Sequence, residues 1–216
     1  MSNLVKIDEL IIGQHWSLSQ TDECYYLLEY TARQRPPLSR GNDLIMNLKK
    51  PMDRKGRPEW RYKEWAINEI ARELRSSLSV VIDFPSTTII PIPPSKIRTN
   101  PLYDDRNLKT LRKACPTDAD IRELIIGKKD MSASHESDFR PSVAEILDNY
   151  TLNPNIHPEI RENIVLFDDV VTAGSHYVAC RQFLEGYWLL KKIKGVFVAR
   201  RVVQRSMSFG DFTDFS

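Results

Sequence analysis

The chain has 216 residues, 41% of them apolar, and a net charge of +2, enough to bury one core in a soluble fold. Its three cysteines (Cys24, Cys115, Cys180) and four histidines (His15, His135, His157, His176) are scattered, with no CxxC or paired-His spacing. This argues against a disulfide framework and a dedicated protein-metal site and fits a reducing cytoplasm. The start, MSNLVKIDELIIGQHW, lacks a leader pattern and no uncharged apolar run reaches spanning length, so neither secretion nor membrane insertion is expected.

Residues 1–85 differ from the rest, with the aromatic clusters HWS, ECYYLLEY and EWRYKEW. CYYLLEYT is rich in β-formers, but its pattern allows strand or helix. From Arg33 to Lys63 ten bases stand against three acids, a locally basic stretch. Within it KKPMDRKGRPEW, with its Pro, Gly and Arg, reads as an exposed loop. YKEWAINEIARELRSSL is the clearest helix: Ala66, Ile67, Ile70, Leu74 and Leu78 share one face, and Glu64, Glu69, Arg72 and Arg75 take the other. The segment is read as an α-rich N-terminal extension.

From about residue 86 the pattern alternates. TTIIPIP predicts a buried strand leading into a proline-stiffened loop, and DDRNLKTLRKAC a helix whose aspartates favour its N-terminus. RPSVAEILDNY places Val143, Ile146 and Leu147 on one helical face, and LNPNIHPE breaks that helix. ENIVLFDD predicts a second buried strand, SHYVACRQFLEGYWLLKK a helix, and GVFVARRV a third strand. Strands alternating with helices predict an α/β fold, a mainly parallel sheet flanked by helices.

In such a sheet, ligands bind beyond the carboxyl ends of the strands. Residues 165–176, VLFDDVVTAGSH, put Asp168 and Asp169 at such an end, where they need not be buried. The turn after them contains Gly174 and opens onto a helix start, so backbone N–H groups and the helix dipole both favour phosphate. Two hydroxyl acceptors beside an anion cradle describe a phosphorylated-sugar site.

IVLFDDVVTAGSH resembles the phosphoribosyl-pyrophosphate (PRPP) motif of the type I phosphoribosyltransferase family. IIPIPPSKIRTNPLYDDRN is similar to that family's first strand and pyrophosphate loop, especially in its competence-associated ComF-like branch. The resemblance covers residues 86–205 and leaves 1–85 as an extension or hood and 206–216 as a C-terminal tail. It implies the type I phosphoribosyltransferase fold, with Asp168 and Asp169 as the catalytic carboxylates that accept from the ribose 2′ and 3′ hydroxyls beside C1. It implies that Thr172, Ala173, Gly174, Ser175 and His176 hold the 5′-phosphate. Ser95, Lys96 and Arg98 would take the pyrophosphate together with substrate-bound Mg²⁺, and Arg106, Asn107 and Arg140 would face the cleft. The chain departs from the family at Ala173 and His176, where hydroxyl residues are usual. The implied activity is transfer of phosphoribosyl from PRPP to a nitrogenous acceptor, releasing pyrophosphate.

Other readings bear on the same residues. A phosphoacceptor receiver domain places its acidic pair after the first strand, not near the chain's end, and a haloacid-dehalogenase-type phosphatase needs D-x-D. A catalytically weak PRPP or nucleotide sensor would keep the same loop. The Arg33–Lys63 stretch would contact nucleic acid through charge and stacking. Alternatively the extension is a hood whose Trp60, Tyr62 and Trp65 stack on a base, or the dimerisation element of a homodimer.

Overall fold

A computed structural model describes residues 4–32, 38–131 and 141–203. Its main sheet has six strands in the order β1-β2-β8-β7-β3-β4. These are β1 (Val5–Lys6), β2 (Glu23–Thr31), β3 (Thr87–Pro91), β4 (Asp120–Ile121), β7 (Asn163–Val171) and β8 (Lys192–Val202). All neighbours pair in parallel except β1, which runs antiparallel to β2. Both edge strands are only two residues long, so β1 pairs just Tyr25 and Tyr26 of β2. A separate hairpin joins β5 (Ile125–Gly127) to β6 (Tyr150–Leu152).

Burial on both faces explains the continuous apolar runs of the parallel strands. In β7, Val165 and Phe167 face one core and Ile164 and Leu166 the other; Ile89 and Ile90 of β3 divide the same way. The first core is covered by α1 (Arg40–Leu48), α2 (Arg61–Ser77) and α3 (Arg106–Ala114). The second is covered by α4 (Val143–Asp148) and α5 (Ser175–Glu185). Helix α2 buries the predicted stripe, with Ala66, Ile70 and Leu74 at 0% exposure. In α4, Ser142 and Glu145 form a capping box.

The composition boundary near residue 85 is not a boundary in the core. CYYLLEYT forms β2, which pairs with β8 along eight residues, and Leu44, Leu48 and Ile70 pack in one cluster with Ile89, Phe167 and Val198. The first 85 residues therefore supply two strands as well as α1 and α2 to the common sheet. The predicted final helix stops at Glu185; the Leu189 and Leu190 that follow are 79% and 94% exposed. Among the described residues no helix is long and apolar enough to cross a membrane. The tail from 206 and Arg140 lie outside the described residues.

Strand order fixes where a cleft opens. From β3 the chain passes through α3 to β4 on one side; from β7 it passes through α5 to β8 on the other. The order reverses between β3 and β7, a topological switch point. Pro91 is level with Phe167, so β7 overruns β3 by four residues, and the overrun begins with Asp168 and Asp169.

Candidate active site

A cavity of about 480 Å³ fills the crevice at this switch point. Ser95, Lys96 and Arg98 line it from the loop after β3, Arg106 and Asn107 from the start of α3, and Asp168, Asp169, Thr172 and His176 from the end of β7. A recess of about 40 Å³ adjoins it and takes in Ala173, Gly174 and Ser175. Distant predicted segments thus meet at one crevice.

The two aspartates have different surroundings. Asp169 is 3% exposed, contrary to the expectation that neither carboxylate need be buried. Its Oδ2 accepts from Arg106 Nε at 2.6 Å and lies 2.5 Å from Nη2, and its Oδ1 lies 3.0 Å from Lys49 Nζ. A buried carboxylate requires such partners. Burial pushes its pKa up, but Arg106 and Lys49 outweigh that and hold it well below the usual carboxylate range.

Asp168 is half-buried. Its Oδ1 accepts from Asn107 Nδ2 at 2.9 Å and from the Asp169 backbone N–H at 2.8 Å. Burial, then the neighbouring Asp169 charge, raise its pKa toward neutrality. A carboxylate held this way gains from any cation or hydroxyl donor that enters the cavity.

The loop after β7 is shaped by glycine and by the N-terminal segment. Gly174 has φ +91°, and a Cβ there would come within 2.7 Å of Leu18. Ser17 N–H donates to Ala173 O at 2.9 Å, Ser17 Oγ lies 3.0 Å from Ser175 Oγ, and His15 Nδ1 lies 2.5 Å from Thr172 O. The loop is therefore strapped by residues 15–18, which the sequence reading did not single out. It leads into α5, whose first N–H groups have no intrahelical acceptor and favour an anion.

His176, one of the two departures from the resembled motif, is a neutral imidazole: burial holds its pKa down to about 4. Its Nδ1 lies 3.2 Å from the Tyr150 hydroxyl, whose pKa burial raises well above its usual value. The neutral ring and the phenol share one hydrogen bond, and whichever ring nitrogen carries the proton makes His176 an uncharged donor.

On the opposite wall Arg98 is paired with Glu123, and Tyr103 donates to the same carboxylate at 2.9 Å. Lys96 lines the cavity beside them. The predicted stacking surface does not reach this site: Trp60, Tyr62 and Trp65 do not line the cavity, and Tyr62 and Trp65 are 44% and 40% exposed. The N-terminal segment contributes Tyr30 and Lys49 instead.

No protein-family model matches the chain, and no curated protein matches it.

The basic stretch divides on folding. Lys63 is 3% exposed, Lys49 lines the cavity, and Arg40 pairs with Glu69 and Glu73. Arg54, Lys55, Arg57 and Arg61 stay exposed, while Arg33 and Arg35 lie outside the described residues.

The site's electrostatics give a pH signature. The lowered His176 pKa contributes stability that is present above the unfolded value of 6.5 and lost as pH falls toward about 4. His15, lowered mainly by burial, acts in the same direction. The raised Asp168 pKa does the reverse over the same interval: the folded state holds the proton longer, so stability falls as pH rises from about 4 toward neutrality. Urea unfolding of the wild type is expected to vary little across this window. Asp168→Asn is expected to lose about 1–3 kcal/mol on acidification, and His176→Gln about as much on the opposite change. Parallel profiles for the two variants would contradict these assignments.

Proposed function

We propose that the cavity binds PRPP and that the protein transfers phosphoribosyl to a nitrogenous acceptor on a type I phosphoribosyltransferase fold. The observation that carries this reading is the juxtaposition, across one switch point, of the half-buried Asp168 carboxylate, the Gly174 anion cradle at the start of α5, and the Ser95–Arg98 loop. A vicinal diol, a phosphate and a diphosphate need these three kinds of partner, in this order.

On this reading the backbone N–H groups of the 172–176 loop, Ser175 and the neutral His176 take the 5′-phosphate. Asp168 accepts from a ribose hydroxyl and lies near C1. The acceptor nitrogen's lone pair forms the new bond to C1, the C1–O bond breaks, and pyrophosphate leaves with that electron pair. The acceptor's surplus proton passes to solvent. Positive charge develops on the ribose ring as the bond breaks, and a fixed carboxylate stabilises it without covalent chemistry. Mg²⁺, which keeps several waters and takes ligands from phosphates, would enter bound to the pyrophosphate of PRPP. That ion would neutralise the leaving group.

The internal pairing of Arg98 with Glu123 and of Asp169 with Arg106 and Lys49 favours a second reading, a cleft that holds PRPP or a nucleotide as a sensor without turnover. A pyrophosphate-release assay with Mg²⁺–PRPP and a panel of nucleobases and simple amines separates the two. Acceptor-dependent release supports transfer; PRPP binding without release by any acceptor supports the sensor.

A further inference from the structure

Three cations gather around Asp104 and Asp169, and they are not equivalent. Arg106 is clamped between the carboxylates: Nε and Nη2 meet Asp169, and Nη1 donates to Asp104 Oδ2 at 2.8 Å. Lys63 spends all three of its hydrogens inside the protein, on Leu48 O at 2.6 Å, Lys50 O at 3.0 Å and Asp104 Oδ2 at 2.8 Å. Lys49 differs. Its ammonium has Asp169 Oδ1 at 3.0 Å as its partner among the described residues, its side chain is 30% exposed, and it lines the cavity.

The local fold holds the Lys49 backbone while leaving the side chain free to move. Helix α1 ends at Leu48 and Pro51 follows three residues later; buried Lys63 bonds the carbonyls on either side of Lys49. When the Lys49 ammonium leaves Asp169, that carboxylate keeps Arg106, so no buried charge is stranded.

We infer that Lys49 is an exchangeable cation that couples the diphosphate and sugar halves of the ligand. In the free protein it occupies Asp169 Oδ1, one of the two acceptors a vicinal diol needs. A diphosphate entering the cavity carries more charge than the half-neutralised Asp169 and draws the ammonium away. Oδ1 then accepts a ribose hydroxyl. The inference rests on the reading of the cavity as a PRPP site. It also explains how an aspartate with both oxygens paired still serves the sugar.

Two separate fragments test it: inorganic pyrophosphate with Mg²⁺, and ribose 5-phosphate, titrated singly and together by calorimetry. In the wild type each is expected to tighten the other by about tenfold, equally in both directions, as linkage requires. Lys49→Met is expected to bind pyrophosphate more weakly and ribose 5-phosphate alone more tightly, with the mutual effect abolished. Lys49→Arg, which keeps the charge, restores part of the coupling and controls for misfolding, and Lys55→Met on the exposed loop leaves it unchanged. Wild-type binding of both fragments without coupling, or coupling intact in Lys49→Met, overturns the inference and leaves the cavity reading standing. Failure of both fragments and of PRPP to bind the folded wild type overturns both.

Discussion

Arg106→Ala is expected to cost about 3–5 kcal/mol of folding stability in urea unfolding, the largest loss of any single charge change at the cleft. The reason is local. Arg106 bridges Asp169, 4% exposed in its side chain, and Asp104, 11% exposed, and removing it leaves two buried carboxylates short of partners. Lys49 and Lys63 stay behind but each faces only one of them. A loss under about 1 kcal/mol, the scale of a surface ion pair, would show that the pair is solvated and that Asp169 is not fixed as described.

Asp168→Asn is expected to behave in the opposite way toward stability and far more severely toward chemistry. Asn retains the oxygen that accepts from Asn107 and from the Asp169 N–H, so the local bonds survive, and the like-charge repulsion with Asp169 is removed. At pH 8 the variant is therefore expected to be as stable as the wild type or slightly more so. Its acceptor-dependent pyrophosphate release is expected to fall by about 10²–10³-fold, because a neutral amide replaces the charge that faces the developing cation. Better stability with lost activity is the mark of a group placed for function at a folding cost. Unchanged turnover would remove Asp168 from the chemistry.

These effects show how far the sequence could be read. Uniform apolar runs such as ENIVLFDD and GVFVARRV, and the helical stripe through Ile70 and Leu74, announce their elements because burial on two faces or along one stripe leaves a periodic trace. The strand β2 was ambiguous for a physical reason. Its nine residues alternate between two cores and a partly open edge, so polar Glu23 and Glu29 interrupt the apolar pattern. The two-residue strands β1 and β4 are too short to carry any period.

At the site, the acidic pair and the small-residue turn were legible as a contiguous motif. The difference between Asp168 and Asp169 was not, because it arises from Arg106 and Lys49, 63 and 120 positions away along the chain. Lys49 was read as part of an exposed basic loop. Only the folded chain shows that Lys63, buried fourteen residues later, pins the turn that carries it. The strap formed by His15, Ser17 and Leu18 left no motif either, since its bonds go chiefly to backbone carbonyls.

The most direct test is calorimetric titration of Mg²⁺–PRPP into the wild type and into Asp168→Asn at pH 8, with both proteins shown to be folded. Saturable binding of one PRPP per chain to the wild type, lost or strongly weakened in the variant, is the predicted result. Equal binding by the two proteins, or no binding by the wild type, would contradict the assignment of this cleft to a phosphorylated ribose.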